Sequence, residues 1–206
     1  MLAVASMMVL AFGVLSPLLL GDQPHFSGSP AELAATAIML ACAAGFVWLF
    51  IVRIGRAPLG TVGWGTFHLN RDMGFGVLGY VATTSVLITL LLAKGASLQY
   101  FWQELTSFSL GQRLQFLLIG VQVVVLEETL FRGYLQSGLE ARTSRPRAVV
   151  ITALAFAAYH LRFDDPMLFA AQFCYGLVWG ALKTRTRSLY ASSTAHFLNW
   201  AISGAI

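Results

Sequence analysis

The stretch Val123-Val124-Val125-Leu126-Glu127-Glu128-Thr129-Leu130-Phe131-Arg132 places two carboxylates and a guanidinium near the middle of an apolar run over 113–140. About 20 apolar residues suffice for a helix to cross a bilayer. An ionisable side chain at the bilayer centre costs about 2.5–3.5 kcal/mol on insertion scales, and such groups face the interior of a helix bundle. The stretch therefore reads as a membrane helix and, by the expense of its charges, as a functional site. The plainer reading is a structural ion pair that holds helices together.

Working outward, 57% of the 206 residues are hydrophobic and 11% are charged, against about 25% charged in an average soluble domain. That balance excludes a soluble enzyme, and disorder with it, because disorder needs low hydrophobicity and high charge. Further apolar runs cover 1–20, 32–52, 73–93, 147–163, 167–183 and 188–206. Isolated strands cannot satisfy their backbone in lipid. The fold class expected is all-α: a polytopic bundle of about seven membrane-spanning helices forming one integral membrane domain over 1–206. The first run lacks a basic leader and a small-x-small cleavage site, so it reads as a retained crossing rather than a signal peptide. Ser29-Pro30-Ala31-Glu32 reads as a capping box with proline at the first helical position. Asp165-Pro166 offers an acidic cap for the sixth run. The Gly/Pro-rich stretch 55–66 breaks the chain, and 95–112, with Tyr100, Phe101 and Trp102, suits an interfacial helix. Cys42 and Cys174 lie in apolar runs and suggest neither a disulfide framework nor a thiolate metal site.

The net charge is +4, but the bases form no single stripe that could follow phosphates, so nucleic acid is not the expected partner. They cluster between runs. Arg53, Arg56, Arg71, Arg142, Arg145, Arg147, Lys183, Arg185 and Arg187 fall to one side, and Lys94, Arg113 and Arg162 to the other. The positive-inside rule puts the first set, and the N-terminus, in the cytoplasm. Arg132 belongs to no loop.

Spacing separates the roles within the polar stretch. Glu128 and Arg132 are four apart with the acid first, the favoured arrangement for a pair on one helix face. Glu127 lies about 100° around an α-helix from Glu128. Glu128–Arg132 is therefore expected to be a supporting pair, and Glu127 to face a polar cavity as a general base. Two histidines also sit in apolar runs: His160, on one face with Phe156, and His196, on nearly one face with Asn199. At about 1.5 Å per residue, counted from the flanking arginines, Glu127, His160 and His196 lie roughly 22, 20 and 13 Å deep, which allows a common site. His25 and His68 fall in loops, where solvated or interfacial roles are expected. Gly176 and Gly180, four apart, give a flat face for close packing by a helix or an extended peptide.

Taken together, Glu127-Glu128-xxx-Arg132, Phe156-xxx-His160, Phe173-xx-Gly176-xxx-Gly180 and His196 with Asn199 resemble the CAAX protease and bacteriocin-processing (CPBP, Abi) family. The resemblance covers about 113–200, the expected catalytic core, with 1–112 as accessory helices. It implies a glutamic-type intramembrane endopeptidase in which Glu127 and His160 activate water, while His196 and Asn199 stabilise the oxyanion. The family places its asparagine or aspartate four residues after the last histidine; here that position is Trp200, and Asn199 stands at three. The resemblance favours a site without metal or other cofactor over the zinc alternative that Glu and His ligands allow. It implies a multi-pass protein of the cell (inner) membrane that cuts near the terminus of a membrane-associated protein or peptide, a CAAX-like or sorting-tail substrate. Two competing readings are a non-enzymatic peptide-immunity or scaffold protein, and a small proton-coupled transporter.

Overall fold

The computed structural model describes residues 26–56, 58–65, 67–160 and 166–203. The first expected crossing, His25, Arg162 and Asp165 lie outside the described residues. Within them the chain is all-helical, with seven helices in chain order: α1 (Pro30–Trp48), α2 (Leu69–Ala93), α3 (Leu98–Ser107), α4 (Leu110–Val123), α5 (Arg145–Tyr159), α6 (Pro166–Thr186) and α7 (Tyr190–Leu198). Three of them run on in the wider π winding, α1 through Leu49–Ile54, α4 through Val124–Gln136 and α7 through Asn199–Ser203. A short 3₁₀ turn, Leu59–Val62, interrupts the Gly/Pro-rich link.

Among the described residues three helices are long and apolar enough to cross a membrane: Pro30–Trp48, Leu69–Ala93 and the continuous Leu110–Glu140. Ile38 on α1 and Leu78 on α2 are each 64% exposed, so these helices turn bulky apolar groups outward, as a lipid-facing surface requires. Helix α3 has ten residues, about 15 Å of rise, half the hydrocarbon thickness. Trp102 and Tyr100 are exposed on it. Helix α5, with fifteen residues, rises about 22 Å and also falls short of about 30 Å.

The helix starts follow local chemistry. Ser29 caps α1 by accepting the Glu32 N–H, but the expected reciprocal half of the box is not made. The Glu32 carboxylate instead accepts from Ser27 N at 2.8 Å and Ser27 Oγ at 2.7 Å, two residues further out. A full box forms at α4, where Ser109 Oγ accepts from Gln112 N and Gln112 Oε1 accepts from Ser109 N at 2.8 Å. Gln112 Nε2 also donates to Phe26 O at 2.8 Å, tying the start of α1 to the start of α4.

Packing is closest where side chains are smallest. A Cβ added at Gly176 would stand 2.8 Å from Ala153 Cα, and one at Gly180 3.0 Å from Val149 Cγ1, so the two glycines seat α6 directly on α5. On α2, Gly79 receives Leu182 and Ala195, and Gly76 receives Thr194, so α2 lies flush on α7. Leu189 N, in the α6–α7 link, donates to Gly63 O at 3.0 Å in the link after α1. Six of the nine bases expected in loops on one side, Arg53, Arg71, Arg145, Arg147, Lys183 and Arg185, lie on helices. Lys183 and Arg185 belong to the last turns of α6, and Lys183 Nζ is buried against Glu140 Oε2 at 2.7 Å. That pairing takes Lys183 out of the free loop charge.

Candidate active site

The polar stretch lies in the π-wound part of the fourth helix, not in the α winding its spacing suggests. Backbone bonds there close five residues apart, a form that tends to occur at functional sites. The widened turn still leaves Arg132 Nη1 at 3.2 Å from Glu128 Oε1, both side chains fully buried. Gly133 follows because Val62 O of the 3₁₀ turn would stand 2.7 Å from a Cβ there. One turn earlier, Thr129 Oγ1 accepts from Trp64 Nε1 at 2.8 Å. Two contacts from the link thus press on the face of this helix beside the charges.

Arg132 is held by rings as well as by charge. Its guanidinium carbon lies 4.4 Å from the centre of the Phe156 ring and 5.1 Å from that of Trp179. Cation–π attraction is worth about 2 kcal/mol when desolvated. Phe156 stands edge-on to Phe131 and Trp179. With Leu130 and Ala195 these rings form the buried core. The hydrophobic core and the charged site are one structure.

Both histidines close on Glu127. His160 Nε2 is 3.8 Å from Glu127 Oε1, and His196 Nε2 is 3.8 Å from Glu127 Oε2. These separations exceed direct hydrogen bonds and match a spacing that one small bridging group would span. His160 caps the end of α5, which stops at Tyr159, so its ring is not inside a continuing helix as the apolar run predicts. Its Nδ1 is 2.9 Å from Phe156 O. His196, on α7, is buried; its Nδ1 is 3.0 Å from Glu128 Oε1. Trp179 stacks on the His196 ring at 3.9 Å between centres and 17° between planes.

The second partners fix the ring nitrogens. A carbonyl oxygen only accepts, so His160 Nδ1 carries a proton and donates to Phe156 O, leaving Nε2 as the acceptor of the neutral ring. A carboxylate paired with an arginine also only accepts, so His196 Nδ1 donates to Glu128. For His196 Nε2 to donate as well, the ring must carry a second proton. Both rings are thus held at Nδ1 and turn Nε2 toward Glu127.

Asn199, one turn beyond His196, begins the π-wound end of α7. Its Oδ1 accepts from Thr83 Oγ1 of α2 at 3.1 Å, and its Nδ2 is buried with no hydrogen-bond partner among the described residues. Phe173 is half-buried on α6 and is not one of the rings around Arg132. His68 caps the start of α2, its N–H donating to Asp72 Oδ2. Among the described residues no group of three or more His, Cys, Asp or Glu side chains is disposed to hold a metal ion. Sequence reading missed Trp179, Thr83 and the Trp64–Thr129 bond. Thr83-Thr84-Ser85 is a visible signal, three hydroxyls inside an apolar run; Trp179 looks like any other core aromatic.

Residues 109–202 match the family model described as type II CAAX prenyl endopeptidase Rce1-like. The matched segment, a little under half of the chain, contains all four motifs and agrees with the resemblance read from them. It supports a CAAX-protease enzyme whose substrate is a membrane-associated protein, in keeping with the three long apolar helices. No curated protein and no solved structure matches the chain.

Proposed function

From the Rce1-like segment and the charges at its centre, we propose that this chain is a multi-pass intramembrane endopeptidase of the glutamic type in the cell (inner) membrane. It hydrolyses a peptide bond near the terminus of a membrane-associated protein, with a prenylated CAAX tail as the first substrate class to try. The observation that carries the reading is the convergence of the Nε2 atoms of two imidazoles, each held at Nδ1, on the two oxygens of Glu127.

A water between them would meet a base and an acceptor on one side and a donor on the other. Glu127 takes its proton while His160 Nε2, held as acceptor by the Phe156 carbonyl, orients it. The hydroxide attacks the scissile carbonyl carbon. As the carbonyl oxygen becomes an oxyanion, the imidazolium Nε2 of His196 and the amide Nδ2 of Asn199 donate to it. Glu127 then returns its proton to the leaving amine. Fixed donors in a dry site stabilise such charge without reorganising, each worth about 10²–10³ in rate. Glu128 and Arg132 do not touch the reacting atoms; they fix the His196 ring through its Nδ1.

This chemistry draws base and donors from the chain itself. It is tested by reconstituting the full-length protein in liposomes with a farnesylated peptide ending in a CAAX sequence and finding the cut terminus by mass spectrometry. Release of the last three residues, unchanged by 1,10-phenanthroline, is expected. Loss of cleavage on chelation, restored by zinc, would overturn the glutamic mechanism.

A further inference from the structure

The hydroxyl of Thr83 bridges from α2, outside the matched segment, to the amide of Asn199. Thr83 is fully buried. It stands on a stripe of small residues, with Gly76 and Gly79, that lets α2 lie against Thr194, Leu182 and Ala195. This close seating brings a short side chain within reach of α7.

A threonine hydroxyl has one proton to give. Gly79 O and Tyr80 O lie 3.1 and 3.0 Å from Thr83 Oγ1, the usual back-bonds of a helical threonine. Those carbonyls already serve the backbone ladder of α2. Asn199 Oδ1 has Thr83 as its donor, while Nδ2 is buried and has no hydrogen-bond partner among the described residues. The two ends of the Asn199 amide are therefore unlike: the acceptor end is engaged, and the donor end is free.

We propose that Thr83 is a positioning residue for the reaction: it holds the carbonyl end of the Asn199 amide so that the NH₂ end is the one presented to the developing oxyanion. The inference rests on the oxyanion role given to Asn199 above. An amide turned the other way would offer its oxygen to a negative charge, which repels. The need for a lock is greater here because Asn199 stands three residues after His196 rather than four, and begins a π-wound segment whose side-chain directions differ from those of an α-helix.

The test uses the full-length protein in liposomes with the farnesylated CAAX peptide. Thr83→Val keeps shape and removes the hydroxyl; Thr83→Ser keeps the hydroxyl. Removing one oxyanion donor costs about 10²–10³ in kcat, so Asn199→Ala is expected to fall by about that factor. Thr83→Val is expected to fall roughly 10- to 100-fold in kcat, a part of the same loss, with KM within about twofold. Thr83→Ser returns to within about threefold of the native rate, and Thr83→Val adds nothing further in an Asn199→Ala background. The ¹⁵N side-chain resonances of Asn199 shift in Thr83→Val and keep their native positions in Thr83→Ser, a readout independent of turnover. Thr83→Val at the native rate while Asn199→Ala is impaired would overturn the proposal alone. So would an undiminished Thr83→Val effect in the Asn199→Ala background, which marks a packing role. Asn199→Ala at the native rate would remove the oxyanion role itself, and the proposal with it.

Discussion

Replacing Arg132 by methionine separates the charge pair from the core that surrounds it. Arg132 and Glu128 are both fully buried with 3.2 Å between Nη1 and Oε1. Removing one partner of a buried pair costs about 3–5 kcal/mol, because the other charge is left uncompensated. The cation–π contacts with Phe156 and Trp179 go as well, at about 0.5–2 kcal/mol each; methionine recovers part of that as packing. The expected net loss is about 4 kcal/mol, a large share of the about 5–15 kcal/mol that keeps a domain folded. At about 2–4 °C per kcal/mol for a chain of this size, the thermal midpoint in detergent falls by roughly 8–16 °C. Combining Arg132→Met with Glu128→Gln removes both charges, and most of that loss returns. The double variant stays inactive, because no carboxylate then holds His196 Nδ1. Intrinsic tryptophan fluorescence during a thermal ramp reads the stability, and peptide cleavage reads the activity. An Arg132→Met midpoint within about 2 °C of native, or a double variant less stable than the single one, would refute the reasoning.

Three further outcomes follow from the same geometry. Gly176→Leu should destabilise by well over 1–3 kcal/mol, or abolish expression, because Ala153 backbone blocks the space and overpacking there cannot relax into a flexible neighbour; detergent melting checks it. Trp179→Leu should lower kcat more than it raises KM, since it removes the ring stacked on His196 and leaves Glu127 untouched; steady-state kinetics on the farnesylated peptide decide. Lys183→Met should cost about 1–3 kcal/mol by stranding Glu140, which also accepts from Gln136 and Thr184. Adding Glu140→Gln should restore part of it in the same melting assay.

The helical class was legible because lipid admits few alternatives, and hydropathy alone marks α1, α2 and α4. The Glu127–Arg132 stretch was legible because charge in an apolar run is expensive enough to need a reason. Other features depend on contacts distant in sequence. The capping box at Ser29 was read from local spacing, yet Glu32 reaches Ser27 instead, since an exposed carboxylate is free to choose any nearby donor. The π winding of Val124–Gln136 leaves no mark on an apolar periodicity, yet the Glu128–Arg132 pair read from α-helical spacing is made within it. Lys183 reads as a loop charge in the sequence because its partner Glu140 lies forty-three residues earlier. Thr83 and Asn199 are separated by 116 positions; nothing in one chain's pattern links a threonine in one apolar run to an asparagine in another.

The role of Glu127 as the base is tested most directly by Glu127→Gln, which keeps size and one acceptor oxygen but cannot take the proton of water. Single-turnover cleavage of the farnesylated peptide by the liposome-reconstituted variant should fall by about 10²–10⁴, with peptide binding and thermal midpoint close to native. Cleavage at the native rate by a correctly folded Glu127→Gln variant would contradict the account.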